Sequence, residues 1–166
     1  MTTCLDRLQR WLREQHVAYS IQHHRQAYTV PEVAMEVHEQ AEHVAKVVIA
    51  QVDGRLVMLV VPALEQVDFK RAAQLLQAHT ARAAHENEFE SRFPDCELGA
   101  MPPFGNLYAM PTYVDEALTQ TSKLVFQAGT HRDTLKLATE DYLRLAKPIT
   151  GNLTRQHSKM EAARSN

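Results

Sequence analysis

Three stretches of the chain place chemically capable residues in unusual surroundings. Lys46 interrupts Val44-Ala45-Lys46-Val47-Val48-Ile49, where an apolar strand is otherwise expected to run on. An ammonium near a core must carry its head to water along its stem or meet an anion. Both readings stand, and the second makes Lys46 a phosphate or carboxylate ligand at the mouth of a pocket. Gly99-Ala100-Met101-Pro102-Pro103-Phe104-Gly105 is too rich in breakers for regular structure. Its glycines admit unusual backbone angles and its prolines stiffen the path between them. Such a loop can aim backbone N–H groups at one point and so cradle an oxyanion or phosphate; it can equally be a tight connection in a sheet. His131 follows Ala128-Gly129-Thr130 at a predicted turn. A turn histidine is usually solvated, so alone it specifies nothing.

Other site chemistries find little support. The chain has 9 histidines, but His23 and His24 are adjacent and would point oppositely on a strand, while His38 and His43 miss a common helical face. Neither HExxH nor paired CxxC occurs, so no metal and no cofactor is expected. A GxSxG elbow is also absent. Cys4 and Cys96 are the 2 cysteines; their wide separation predicts neither a disulfide framework nor an activated thiol, and fits a reducing cytoplasmic setting.

These candidates need elements to hold them. Leu5, Leu8 and Leu12, with Trp11, recur at helical spacing behind a Thr3/Asp6 start signal. Val17, Tyr19 and Ile21 alternate as a strand to about His23. Thr29, Pro31 and Glu32 begin a second helix whose apolar stripe is Val30, Val33, Ala34 and Val37. The clearest local signal is a hairpin, Val44 to Val52 and Arg55 to Val61 about Asp53-Gly54. Its strands are apolar on both faces, which predicts a sheet centre covered on two sides. Further helices are expected at Asp68–Leu76, at Glu86–Phe93 and around Tyr142 and Leu145. Further strands are expected at Leu107–Val114, Leu124–Ala128 and Asp133–Ala138. From about Gly151 the chain turns polar, so residues 1–150 read as one domain and 151–166 as a loose tail. Strands and helices mix irregularly, which predicts a mixed α/β or α+β fold and disfavours a doubly wound parallel sheet.

With 166 residues, 45% hydrophobic and 23% charged, the chain has the mass for one core. Its charged first residues predict no secretory signal, and no apolar run approaches a membrane span. The formal net charge of −2 speaks against a protein that grips long nucleic acid, DNA in particular. Any nucleic-acid ligand would be touched over a small part only.

Taken together, Lys46 at the opening of the hairpin, the GxxxP element Gly99–Pro103 continued by Phe104-Gly105, Ala128-Gly129-Thr130-His131 and Phe93-Pro94 before Glu97-Leu98-Gly99 resemble the YbaK/prolyl-tRNA-synthetase-associated editing domain family. The resemblance runs from about Tyr19 to Pro148. It implies a curved, mostly antiparallel sheet enclosed by helices, and an aminoacyl-tRNA deacylase that clears alanine or cysteine mischarged on tRNA(Pro), or a related pair. Carried over by position, Lys46 would bind the phosphate near the terminal adenosine. The Gly99 loop would lie against the aminoacyl ester, and His131 would help place the aminoacyl group, as in alanine-directed members. Val47 departs from the Thr or Asn common after that lysine, which puts one polar contact in doubt. His131 is not generally kept in cysteine-directed members.

The resemblance implies that the substrate's own ribose hydroxyl assists hydrolysis, consistent with the lack of a convincing protein base. Tyr28, Val30, Val33 and Val37 are the expected wall of a size-selective pocket. Met101, Pro102, Pro103, Phe104, Gly105, Gly129 and Thr130 are expected to contact substrate. The partners that the resemblance implies are the acceptor end of aminoacyl-tRNA and an aminoacyl-tRNA synthetase. Lys147, Arg155, Lys159 and Arg164 give the tail a basic tilt. A non-catalytic nucleotide- or synthetase-binding module of the same fold is the alternative.

Overall fold

The computed structural model describes residues 2–27, 29–37 and 40–155. Helix α1 (Cys4–Glu14) starts where Thr3 and Asp6 exchange a reciprocal capping box, which satisfies two N–H groups left open by the first turn. Leu8 and Leu12 are buried on its inner face. Strand β1 (Tyr19–His23) follows, then α2 (Val30–Val37), where Thr29 Oγ1 accepts the Glu32 N–H at 3.3 Å.

The hairpin of β2 (Ala45–Val52) and β3 (Arg55–Pro62) turns on Asp53 and Gly54, with φ of 49° and 81°. Two consecutive positive φ values match the twist of the flanking strands. Asp53 also accepts the N–H groups of His79 and Thr80, which ties the turn to the segment after α3 (Phe69–Leu75).

The expected burial on both faces is observed. Ala45, Ile49, Met58 and Val60 join the main core beneath Phe104, Phe126 and Leu137. The alternate residues Ala50, Val52, Val57, Leu59 and Val61 join a second core closed by Ala72 and Leu153. A period of two feeding two separate cores is what a central strand pair requires.

Two sheets result. One has the order β4-β2-β3-β5-β8, with β4 (Ala81–Ala83), β5 (Thr112–Asp115) and β8 (Ile149–Gly151). The other is β1-β7-β6, with β6 (Lys123–Gln127) and β7 (Asp133–Ala138). Helices α4 (Glu86–Phe89), α5 (Glu116–Thr119) and α6 (Thr139–Ala146) complete the fold. The fold is mixed α/β and most pairings are antiparallel, as expected, but β5 runs parallel to both of its neighbours. The sheets meet at one bridge between Val44 and Val125. That seam becomes important below.

Several elements differ from the sequence reading. Of the expected strand Leu107–Val114 only Thr112–Val114 is extended, as part of β5; Gly105–Tyr108 forms a 3-10 turn ended by Ala109 at φ 54°. The turn forms because the Gly105 N–H donates to Thr112 Oγ1 and the Met110 N–H to the Gly105 carbonyl. Glu86–Phe93 divides into α4 and a 3-10 turn at Glu90–Arg92. Gly151 to Thr154, placed with the tail for their polarity, are packed: Leu153 is fully buried and its N–H donates to Asp115 Oδ2 at 2.8 Å. Lys159 and Arg164 lie outside the described residues.

Cys4 and Cys96 correct the sequence reading outright. They are paired as a disulfide, with Cα atoms 5.2 Å apart across 92 residues of sequence. Separation along the chain concealed a contact that the fold makes by laying α1 against the Phe93–Gly99 segment. No helix among the described residues is long and apolar enough to cross a membrane.

Candidate active site

Beyond the Val44–Val125 bridge, β2 and β6 pair no further. Their parting leaves a cavity of about 210 Å³ in the seam. Val44, Ala45, Lys46 and Val47 line it from β2 and the residue before it; Phe126 and Gln127 line it from β6. Thr29 and Val33 close it from α2 and its cap, Ala63 from the end of β3, and Gly99 and Met101 from the proline-glycine loop. Lys46 and Gly99, 53 positions apart in sequence, therefore share one small chamber.

Lys46 is half-buried, opposite Val61 in the hairpin register. Burial lowers its pKa from the ordinary lysine value, and the nearby Glu65 carboxylate partly restores it. A desolvated ammonium beside an apolar chamber is a strong locus for an anion.

The loop is held mainly from behind. Gly99 has φ +88°, a conformation that costs an L side chain energy. Ala100 N–H donates to the Glu97 carbonyl, Phe104 N–H to the Pro102 carbonyl and Gly105 N–H to Thr112. Gly99 N–H is directed at the Met101 sulfur, 3.3 Å away. Within the described residues, the Met101 N–H is the loop amide that no hydrogen bond engages. The expected cradle of several N–H groups is thus reduced to one open donor, on a residue that lines the cavity.

Pro102, Pro103, Phe104 and Gly105 do not line the chamber. Phe104 is fully buried, with its ring edge-on to Trp11, Phe126 and Tyr142 at centroid distances of 5.2, 5.8 and 5.3 Å. The buried Tyr142 hydroxyl donates to the Pro103 carbonyl at 2.9 Å. A Cβ on Gly105 would lie 2.3 Å from Thr112 Oγ1. These residues anchor the loop; they are not placed to touch a ligand in the chamber.

His131 also stands behind the loop. Its Cε1 would lie 3.4 Å from a Cβ on Gly99, its Nε2 is 3.2 Å from the Leu98 carbonyl, and its N–H donates to Glu97 Oε2. Gly129 and Thr130 face a different depression, shared with Cys96 and Glu97. Gly129 is required there because a Cβ would lie 2.7 Å from the Cys4 sulfur. Thr130 Oγ1 donates to Asp133 Oδ2 and accepts the Arg132 N–H, which fixes the turn.

Of the expected wall, Val33 is buried against the cavity. Val30 and Val37 are the end residues of α2, described in backbone only, and Tyr28 lies outside the described residues. Gln127 and Thr29 join the expected residues in the lining; a polar glutamine closing the apolar run Leu124–Phe126 is the sequence signal for the first. Among the described residues, Cys4, Asp95 and Cys96 form the one group of potential metal ligands in mutual reach, and its two sulfurs are bonded to each other.

Comparisons with known proteins give the family and the fold. Residues 24–145 match the family described as aminoacyl-tRNA editing domain. No protein of curated function matches in sequence. Among solved structures, a candidate trans-editing enzyme for prolyl tRNA synthetase superposes with a TM-score of 0.80 at 20% identity, over 93% of this chain and 98% of that one. A protein from work on computational grafting of linear epitopes onto scaffolds gives 0.80 at 18%, over 93% and 99%. The hypothetical protein APE2540 gives 0.80 at 16%, over 89% and 98%. At these identities the structures establish a shared fold, whereas the sequence match spans the cavity from Thr29 to Gln127. The chain belongs to the aminoacyl-tRNA editing domain family.

Proposed function

We propose that this protein hydrolyses the ester of a mischarged aminoacyl-tRNA in trans, without a metal, and that its substrate carries a small amino acid such as alanine or cysteine on tRNA(Pro) or a related pair. The observation that carries the proposal is the shared chamber, with a half-buried lysine and the open Met101 N–H on its lining residues. At about 210 Å³ the chamber falls below the ~300–1,000 Å³ of sites for drug-sized ligands, which suits a short aminoacyl group.

Lys46 holds the terminal phosphate. The Gly99–Met101 segment lies along the ester, with the Met101 N–H offered to the carbonyl oxygen as it becomes an oxyanion. One such donor is worth about 2.7–4 kcal/mol in acyl transfer elsewhere. Water attacks the carbonyl carbon; the bond to the ribose oxygen then breaks, and that oxygen leaves with a proton. The neighbouring ribose hydroxyl supplies the proton path that no side chain of the chamber offers. His131 is a positioning residue, acting through the Gly99 loop.

Lys46→Ala tests this against labelled alanyl-, cysteinyl- and seryl-tRNA. The expected result is loss of hydrolysis with the fold retained, seen as a cooperative melting transition. Full turnover by the variant overturns the role of Lys46. Binding without hydrolysis of any of the three by the parent protein replaces the enzyme with a binding module.

A further inference from the structure

A second concavity, of about 470 Å³, opens where β1 runs out and β7 begins. His23, His24, Arg25, Gln26 and Arg132 line it. Every one of these side chains carries N–H donors or a positive charge, and no carboxylate is among them. In a chain of net charge −2 such a concentration is a local reversal of sign.

The cleft is built, and it is joined to the chamber. His24 N–H donates to the Arg132 carbonyl and Ala27 N–H to the His131 carbonyl, at 2.8 and 2.9 Å, so the two turns form one wall. The His24 ring is fixed between the Arg25 carbonyl and Thr134 Oγ1. His23 faces Asp133, which also accepts from Thr130. Arg132 is exposed, and no carboxylate among the described residues pairs with its guanidinium. Gln127, in the chamber lining, donates through Nε2 to the Ala27 carbonyl at 2.8 Å. From Gln26 in the cleft to Thr29 in the chamber is three residues, at most about 10 Å of chain.

We infer that this cleft, with Arg132 and Arg25 as its principal cations, binds backbone phosphates of the RNA strand whose acylated end enters the chamber; the inference rests on the function proposed above. The chemistry is that of phosphodiester recognition. Guanidinium forks can take two non-bridging oxygens at once. The small number of cations accords with the mild net charge: the contact covers a few nucleotides.

The test compares the parent with Arg132→Ala, Arg25→Ala and Arg132→Lys on two substrates, alanyl-tRNA(Pro) and 3′-O-alanyl-adenosine 5′-monophosphate, a nucleoside ester that keeps the terminal phosphate assigned to Lys46 and lacks those upstream. Either alanine variant should raise KM for the tRNA by up to about fivefold, the worth of one exposed charge contact, with kcat held. It should leave the nucleoside ester untouched, and Arg132→Lys should recover part of the loss. The salt slope of log kcat/KM should flatten by about 0.7 for the contact removed. An unchanged KM and slope, or equal effects on both substrates, overturns the inference. Uncharged tRNA binding, followed by fluorescence anisotropy across the same salt series, separates the two proposals. If the parent hydrolyses neither ester yet binds tRNA more weakly and with a flatter slope on losing Arg132, the cleft stands and the hydrolase does not.

Discussion

The imidazole of His131 packs where a side chain on residue 99 would begin: its Cε1 would be 3.4 Å from a Cβ built on Gly99. The ring is therefore a support for the loop, and the φ of +88° at Gly99 is held against it. Gly99→Ala adds backbone strain, about 1–2 kcal/mol, while its methyl group meets the His131 ring at ordinary van der Waals distance. We expect it to lower stability by that order and to depress kcat more than KM. His131→Ala removes the support of the same loop, so the double variant should lose less than the sum of the two single losses. Strict additivity in the double-mutant cycle would show that the two residues act independently.

Lys46 titrates below the ordinary lysine value because burial disfavours its charge. Between that lowered pKa and 10.5 the unfolded chain binds more protons at this site than the folded one. The lysine's effect on stability is therefore unfavourable at neutral pH and is relieved as pH rises through the folded pKa. Activity runs the opposite way if the ammonium grips phosphate: kcat/KM should fall on the alkaline side, at a pH below 10.5. Lys46→Arg keeps its charge there, so whatever activity it retains should show no such alkaline fall. A pH–rate profile of both proteins checks this.

Val33 is the described apolar side chain by which α2 closes the chamber. Val33→Ala removes two buried methyl groups, a loss of about 1.5 kcal/mol in stability. It should also widen substrate choice. Discrimination against an aminoacyl group one or two methylenes larger should fall by a factor within the ~10–200-fold range that a methylene commands. Hydrolysis rates for a series of aminoacyl-tRNAs of increasing side-chain size provide the measurement. An unaltered profile excludes Val33 from the wall.

The Cys4–Cys96 link closes 92 residues of sequence and ties α1 to the segment leading into Gly99. Loops of that length give a disulfide roughly 2–5 kcal/mol of stabilisation. Chemical denaturation with and without dithiothreitol should show a loss of that size, and Cys4→Ser should make the two curves coincide. Two titratable thiols in the native, unreduced protein would contradict the pairing.

Much of the architecture is legible in the residues themselves. The Thr3/Asp6 box and the Thr29 cap are short-range hydrogen bonds written into neighbouring side chains. Asp53-Gly54 dictates a turn through its positive φ angles. The two-sided apolar pattern of β2 and β3 announces burial on both faces. Lys46 and Gly99 stand out because each violates its local pattern. Strands β4 and β8, three residues each, escape notice because three residues cannot display a period. Leu107 to Val114 reads as strand because its composition is apolar, and only the packing of Gly105 against Met110 and Thr112 bends it into a turn.

Sequence alone therefore determined the local elements, the mixed α/β class and the two residues on which the chemistry is proposed to rest, since these follow from propensity, capping and pattern violation over a few residues. Tertiary structure alone decided that Lys46 and Gly99 share a chamber, that His131 props the loop from behind, and that Cys4 meets Cys96. Each of those is a long-range contact created where β2 and β6 part or where α1 settles on the loop. Contact between residues tens of positions apart depends on how sheets and helices dock, and no spacing along the chain encodes it.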